Sequence, residues 1–127
     1  MRYVCLVYFE EKPVEGSPRE RLPVFVTSLA PSDLQAVARD SNAYDEELKG
    51  RGHLIVAHAL QTTDTAVTVR VRDGKMSSTD GPFAETKEVL GGFLLIEARD
   101  LNEAIRIAAD VPLAKVGSVE VRPVMGG

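Results

Sequence analysis

Residues 91–124 read GGFLLIEARDLNEAIRIAADVPLAKVGSVEVRPV, and this run sets out a strand, a helix and a second strand in order. GGFLLIEA, residues 91–98, is a short apolar run, which predicts a buried strand. Asp100 then stands where a helix cap belongs, because its carboxylate can accept from an amide left free in the first turn. Leu101, Ala104, Ile105 and Ala108 follow at helical spacing and are expected to face inward over DLNEAIRIAADVP, residues 100–112. GSVEVRPV, residues 117–124, closes the unit as a strand.

Working towards the N-terminus, the same pattern recurs. Tyr3 to Phe9 is rich in β-branched and aromatic residues and predicts a buried strand. Ser32 and Gln35 have capping-box spacing, and Leu34, Val37, Ala38, Ser41, Tyr44 and Leu48 draw one stripe along a first helix, with Gly50 and Gly52 as stops. LIVAHALQ, residues 54–61, predicts the next strand. Between the two units, AVTVRVR at 66–72 alternates with period two, Asp73–Gly74 is a hairpin turn signal, and KMSST at 75–79 is the return arm. Two β-α-β units around a hairpin predict an α+β, ferredoxin-like chain of the dimeric α/β-barrel type. Its antiparallel sheet carries two helices on one face and an inserted β-hairpin. The other face of that sheet lacks a cover, which predicts a homodimer packed sheet to sheet.

At 127 residues the chain fits a single domain, 1–127, with a variable proline-containing insert at 10–31 that holds Pro13, Pro18, Pro23 and Pro31. Within it, LPVFVTSLA is apolar enough to require packing. A net charge of −4, with 15 basic and 19 acidic residues, argues against nucleic acid as a partner. No apolar run approaches the roughly 18 residues of a membrane span, and the Tyr3–Phe9 run is too short and too acid-flanked for a leader, so a cytoplasmic protein with no membrane partner is expected. Lone Cys5 forms neither an internal disulfide nor a metal cluster and is expected to be an inert core thiol. Two histidines without H-E-x-x-H spacing predict no metal site, and the absence of G-x-G-x-x-G or G-K-[ST] predicts no nucleotide cofactor.

The stretch TDGPFAETKE, residues 79–88, does not read as strand or helix. Pro82 removes a donor and pushes Gly81 from the helical region, so the chain turns there. Asp80 either caps amides two or three residues ahead or stands as a rigid carboxylate base at a cleft. Phe83 is expected to pin the loop into the core, and Lys87 either pairs with Glu88 or holds a substrate charge. His53 and His58 are the candidate partners of Asp80, since only histidine titrates unperturbed near neutrality. His58 is expected in an apolar row with Leu54, Val56 and Leu60, and His53 at a helix-to-strand corner. Tyr44 and Arg122 complete the candidate site: Tyr44, on the apolar stripe, either packs in the core or brings its hydroxyl to the cleft edge, and Arg122 either orients an anion or faces solvent. Gly91–Gly92 predicts a bulge or a tight dimer contact.

RVRDGKMSSTDGPFAETKEVLGGFLLIEARDLNEAIRIAADVP and the closing GSVEVRPV resemble the DGPF branch of the YCII-related proteins. The resemblance also takes in Met1 to Phe9 and AYDEEL, while Val14 to Pro31 matches it poorly. It implies a small dimeric ferredoxin-like domain. The wider family is suspected of enzymatic function because some members place a His and an Asp together in a cleft. Some DGPF-type proteins are encoded beside alternative sigma factors. At the position of His58 such relatives more often carry an acidic residue, which weakens transfer of the family's pair to this chain. Two functions are therefore expected. One is an acid–base enzyme acting on a small molecule in a cleft lined by the DGPF loop. The other is a non-enzymatic ligand-sensing or protein-interaction module linked to sigma-factor regulation.

Overall fold

The computed structural model describes residues 1–126. Its strands are β1 (Arg2–Pro13), β2 (Arg21–Pro23), β3 (Leu54–Ala59), β4 (Val67–Arg72), β5 (Lys75–Asp80), β6 (Glu88–Glu97) and β7 (Ser118–Pro123). Its helices are α1 (Val24–Ser28), α2 (Pro31–Gly50) and α3 (Leu101–Ala109), with single 3-10 turns at Thr63–Thr65 and Pro112–Lys115. The architecture is mixed α and β around an antiparallel sheet.

β1 is the central strand. It pairs antiparallel with β6 on one side and, on the other, with β7 along Tyr3 to Tyr8 and with β2 along Glu11 to Pro13. β3 pairs with the far side of β6, so the strands run β7-β1-β6-β3 across the sheet. Each β-α-β unit thus leaves a gap of one strand that the other unit fills. Along β1 burial alternates strictly: Tyr3, Cys5, Val7 and Phe9 are buried and share one cluster with Leu94, Ile96, Leu48, Ala104, Ile107 and Ala108. Both long helices therefore cover the same face. Burying one such aliphatic side chain contributes about 1.5–3 kcal/mol.

The helix signals need revision. α2 begins at Pro31 with Ala30 as its cap and no side-chain cap bond, so proline at the first helical position replaces the expected Ser32 capping box. Of the expected stripe only Leu48 is fully buried, and Ala38 is exposed. In α3, Asp100 does cap, accepting from the Glu103 amide at 2.9 Å, but Ile107 takes the core position expected for Ile105. Leu101 and Ile105 stay exposed because the buried face centres on Ala104 and Ala108. The proline-containing insert at 10–31 carries regular structure. β1 continues to Pro13, β2 pairs with its end, and Phe25 of α1 meets Phe9 edge-on, with ring centres 5.2 Å apart.

The pleat places Val4, Leu6, Tyr8, Val56, Phe93 and Leu95 on the sheet face away from the helices, half-exposed, with Leu90 beside them. Charged residues ring this apolar centre: Arg2 opposite Glu97, Arg122 opposite Val4 and Glu120 opposite Leu6. The β1–β6 register shifts between Val7 and Tyr8, opposite Gly92 and Leu90, so Gly91 sits in a bulge. β4 and β5 form a separate hairpin whose turn, Asp73–Gly74, has positive φ at both positions.

Gly117 stands where β7 meets β1, and a Cβ there would lie 2.0 Å from the Tyr8 carbonyl oxygen. Backbone cannot swing away as a side chain can, so Gly117→Ala is expected to lower stability by about 1–3 kcal/mol, the cost of overpacking. A urea titration checks this. An unchanged midpoint would show that the β1–β7 register tolerates displacement.

Candidate functional site

β5 delivers the chain to Asp80, and Gly81 turns it with φ of 97°, a conformation that strains any other residue. The turn is clamped to the opposite end of the hairpin: Gly81 donates its amide to the Ala66 carbonyl at 2.7 Å, and the Thr68 hydroxyl donates to the Gly81 carbonyl at 2.8 Å. Asp80 does not cap its own loop, since its carboxylate has no hydrogen-bond partner among the described residues. Phe83 does not pin the loop either. It is 79% exposed, because the backbone clamp and the half-buried Pro82, rather than the ring, hold the turn.

Beside the turn lies a cleft of about 420 Å³, lined by Arg19, Arg21, Asp64, Asp80, Glu85 and Thr86 among others. One buried carboxylate organises its floor. The Glu11 side chain, 2% exposed, accepts from the Thr63 amide at 3.2 Å, the Thr63 hydroxyl at 2.5 Å and Arg21 Nε at 3.4 Å. Arg21 Nη2 also donates to the Glu11 carbonyl at 3.2 Å. β1, β2 and the Thr63–Thr65 turn are therefore held by one residue, and all of the acceptor's partners are present, as a buried charge requires. Asp64 accepts from the Thr62 hydroxyl at 2.5 Å. Arg19 has no ion-pair partner among the described residues. The cleft thus presents one fixed guanidinium, one free guanidinium and several carboxylates, donors and acceptors of both charges.

The other expected site residues lie elsewhere. His58 is exposed rather than buried in an apolar row. A register irregularity between Leu54 and Val56 turns Leu54 and Ala57 towards the core, and leaves His58 opposite Phe93 with ring centres 5.9 Å apart. His53 sits at the corner before β3, its Nδ1 2.9 Å from the Glu97 carbonyl oxygen. Neither histidine lines the Asp80 cleft and no hydrogen bond joins either to Asp80, so one chain by itself does not assemble that pair. Lys87 pairs with Glu10 at 3.4 Å instead of Glu88, which accepts from the Ser118 hydroxyl. Arg122 is exposed on the outer sheet face.

Tyr44 donates its hydroxyl to the Ile107 carbonyl at 2.7 Å, tying α2 to α3; burial and the nearby Asp110 push its phenol up to about 12. It also lines a second cleft, of about 330 Å³, with Ser41, Asp45, His58, Gly92 and Leu113. Burial, then the Glu46 charge, raises the Asp45 carboxyl above its ordinary value. Among the described residues no cluster of metal-ligating side chains occurs. No described helix is long and apolar enough to cross a membrane.

Arg19, Arg21, Asp64 and Glu85 were not anticipated from the sequence. For the two arginines the available signal was the charged run PRERLP, residues 18–23, held between two prolines just before the apolar VFV. A family model described as the YCII-related domain matches residues 1–126 of this chain. An uncharacterized protein of Rhizobium meliloti (strain 1021) is 41% identical to it over 125 residues, covering 97% of this chain and 91% of that relative.

Two outcomes are expected from this arrangement. Glu11→Ala leaves Thr63 and Arg21 without their acceptor and should cost about 2–4 kcal/mol, in the range for breaking a buried charge network. A chemical denaturation curve measures it, and a change under about 0.5 kcal/mol would remove Glu11 from this role. Cys5 is fully buried and burial pushes its thiol from 9.0 up to about 11. Its neutral form is favoured by the fold, so this contribution is full below pH 9 and is lost as pH rises through 11. Native protein at pH 8 should react with a thiol reagent at least a hundredfold more slowly than unfolded protein; equal rates would contradict the burial.

Proposed function

The chain belongs to the YCII-related family, and on that footing we propose that it is a homodimeric ligand-binding module whose DGPF loop walls the binding cleft. The observation that supports this reading is the cleft itself: Asp80, held by the Gly81 clamp, shares it with Arg19 and Arg21. A volume of about 420 Å³ suits a small molecule. The mixed lining suits a polar metabolite with a cationic and an anionic group, the anion meeting the Arg19 guanidinium and the cation meeting Asp80 and Glu85.

The ferredoxin-like arrangement and the dimer belong to the same proposal. The strand order β7-β1-β6-β3 with both helices on one face supports the first. The half-exposed apolar outer face with its charged rim supports the second, since stable interfaces place apolar residues inside a polar border. A second reading, acid–base catalysis with Asp80 as the base, is favoured by its unpartnered carboxylate, which is free to take a proton from a bound substrate. The association with a sigma factor rests on the family resemblance.

The test is an NMR titration of the protein with L-arginine, L-lysine and glycine betaine as zwitterionic probes and inorganic phosphate as a control. At least one zwitterion should shift amides at Arg19, Asp80 and Glu85, and Asp80→Asn should weaken it tenfold or more, equivalent to about 1.4 kcal/mol. Shifts confined to the second cleft, or none for any probe, would end the reading.

A further inference from the structure

We infer that the second cleft is a binding site for an organic amine with an apolar body, its ammonium group held by the Asp45 carboxylate. The site is separate from the one proposed above, since the two clefts share no lining residue.

The cleft lies between α2, the end of β3 and the Pro112–Lys115 turn. Val7, Ala57 and Leu94 from the sheet, with Val111, Pro112 and Leu113 after α3, give it an apolar lining. Its volume of about 330 Å³ is at the small end of the range for ligand sites. Asp45 is the sole carboxylate in that lining, and no lysine or arginine accompanies it among the described residues. It falls on the inward stripe of α2, four residues after Ser41 and three before the fully buried Leu48, where an apolar side chain is the rule.

The ligand class follows from what Asp45 lacks. The carboxylate is half-buried, and no hydrogen bond or ion pair reaches it among the described residues. Arg39 and Arg51 on the same helix are engaged by Asp40 at 3.5 Å and by Glu47 at 3.3 Å, and Lys49, one turn on, makes no ion pair with it. Burial and then the neighbouring Glu46 charge disfavour its ionised form. An arriving ammonium offsets both, because it brings the opposite charge to a partly dehydrated place. The Ser41 hydroxyl can accept beside it, and so can the Tyr44 oxygen, whose own proton is committed to the Ile107 carbonyl. A primary ammonium carries three donors and no acceptor, which matches this set. An anion would meet the Asp45 charge with no lysine or arginine to offset it. The remaining titratable group of the lining, His58, is exposed, with its ring centre 5.9 Å from that of Phe93.

Amide NMR titration of the full chain with phenethylamine tests this, beside the neutral isostere phenethyl alcohol and the anion phenylacetate. The amine should shift amides at Ser41, Asp45, Val111 and Leu113 and bind at least tenfold more tightly than the alcohol, with phenylacetate weaker still. Asp45→Asn, which keeps the side-chain shape, should lower the amine to the affinity of the alcohol and leave the alcohol's own affinity unchanged. The comparison of amine with alcohol on the native chain stands even where the variant fails to fold. Equal affinities for amine and alcohol, tighter binding of phenylacetate, an amine affinity unmoved by Asp45→Asn, or no shift with any probe each overturns the inference. Amine shifts confined to Arg19, Asp80 and Glu85 overturn it too, and leave the reading of the first cleft standing.

Discussion

Alternation along β1 is the constraint on which the other elements depend. Tyr3, Cys5, Val7 and Phe9 point to one side and meet α2 and α3; Val4, Leu6 and Tyr8 point to the other. Because β6, β7 and β2 all hydrogen-bond directly to β1, a slip of one residue would turn every inward side chain outward. β3 takes its register through β6, so the error would spread across the sheet. The β1–β6 pairing is adjusted by the bulge at Gly91, and Gly117 passes close to Tyr8 on the other side of β1, so both glycines sit beside the middle of that strand.

The second half of β1 also carries the candidate site. Glu11 follows the last buried position of the strand, and its carboxylate is the point at which Arg21 and Thr63 are fixed. The cleft thus lies at the edge of the sheet, with Arg21 of β2 and the Thr63–Thr65 turn, both held by Glu11 of β1, on one side and the hairpin's end on the other. The DGPF turn contributes rigidity through Gly81 and its backbone clamp, which leaves Asp80 free of local bonds. A carboxylate positioned by backbone rather than by its own hydrogen bonds retains its full capacity to accept from a ligand.

Strands and turns were legible where a local rule acts alone. The Asp73–Gly74 turn and the Asp100 cap depend on residues within four positions of each other, and both occur as read. The start of α2 failed because two local signals competed there, and proline at the first helical position won over the serine after it. The inward face of α3 was displaced because Leu101 and Ile105 are as apolar as Ile107, and only the packing of α3 on the sheet decides which of them meets the core. His58 was misplaced for a related reason, since the irregularity beside Ile55 shifts the alternation by one residue.

The amino-acid sequence by itself determined the order of the strands and helices outside the 10–31 insert, the hairpin, and the sharp turn at Asp80–Gly81, because each follows from periodicity or from the φ range of one residue. Tertiary structure alone decided the site. Arg19 and Arg21 come to line the same cleft as Asp80 from a segment about sixty residues away, through β2 lying along the end of β1. The same packing left His58 and His53 elsewhere. Charge and hydrogen-bonding capacity are properties of a residue and can be read singly. Proximity is a property of the folded chain, set here by the pairing of β1 with strands from both ends of the sequence.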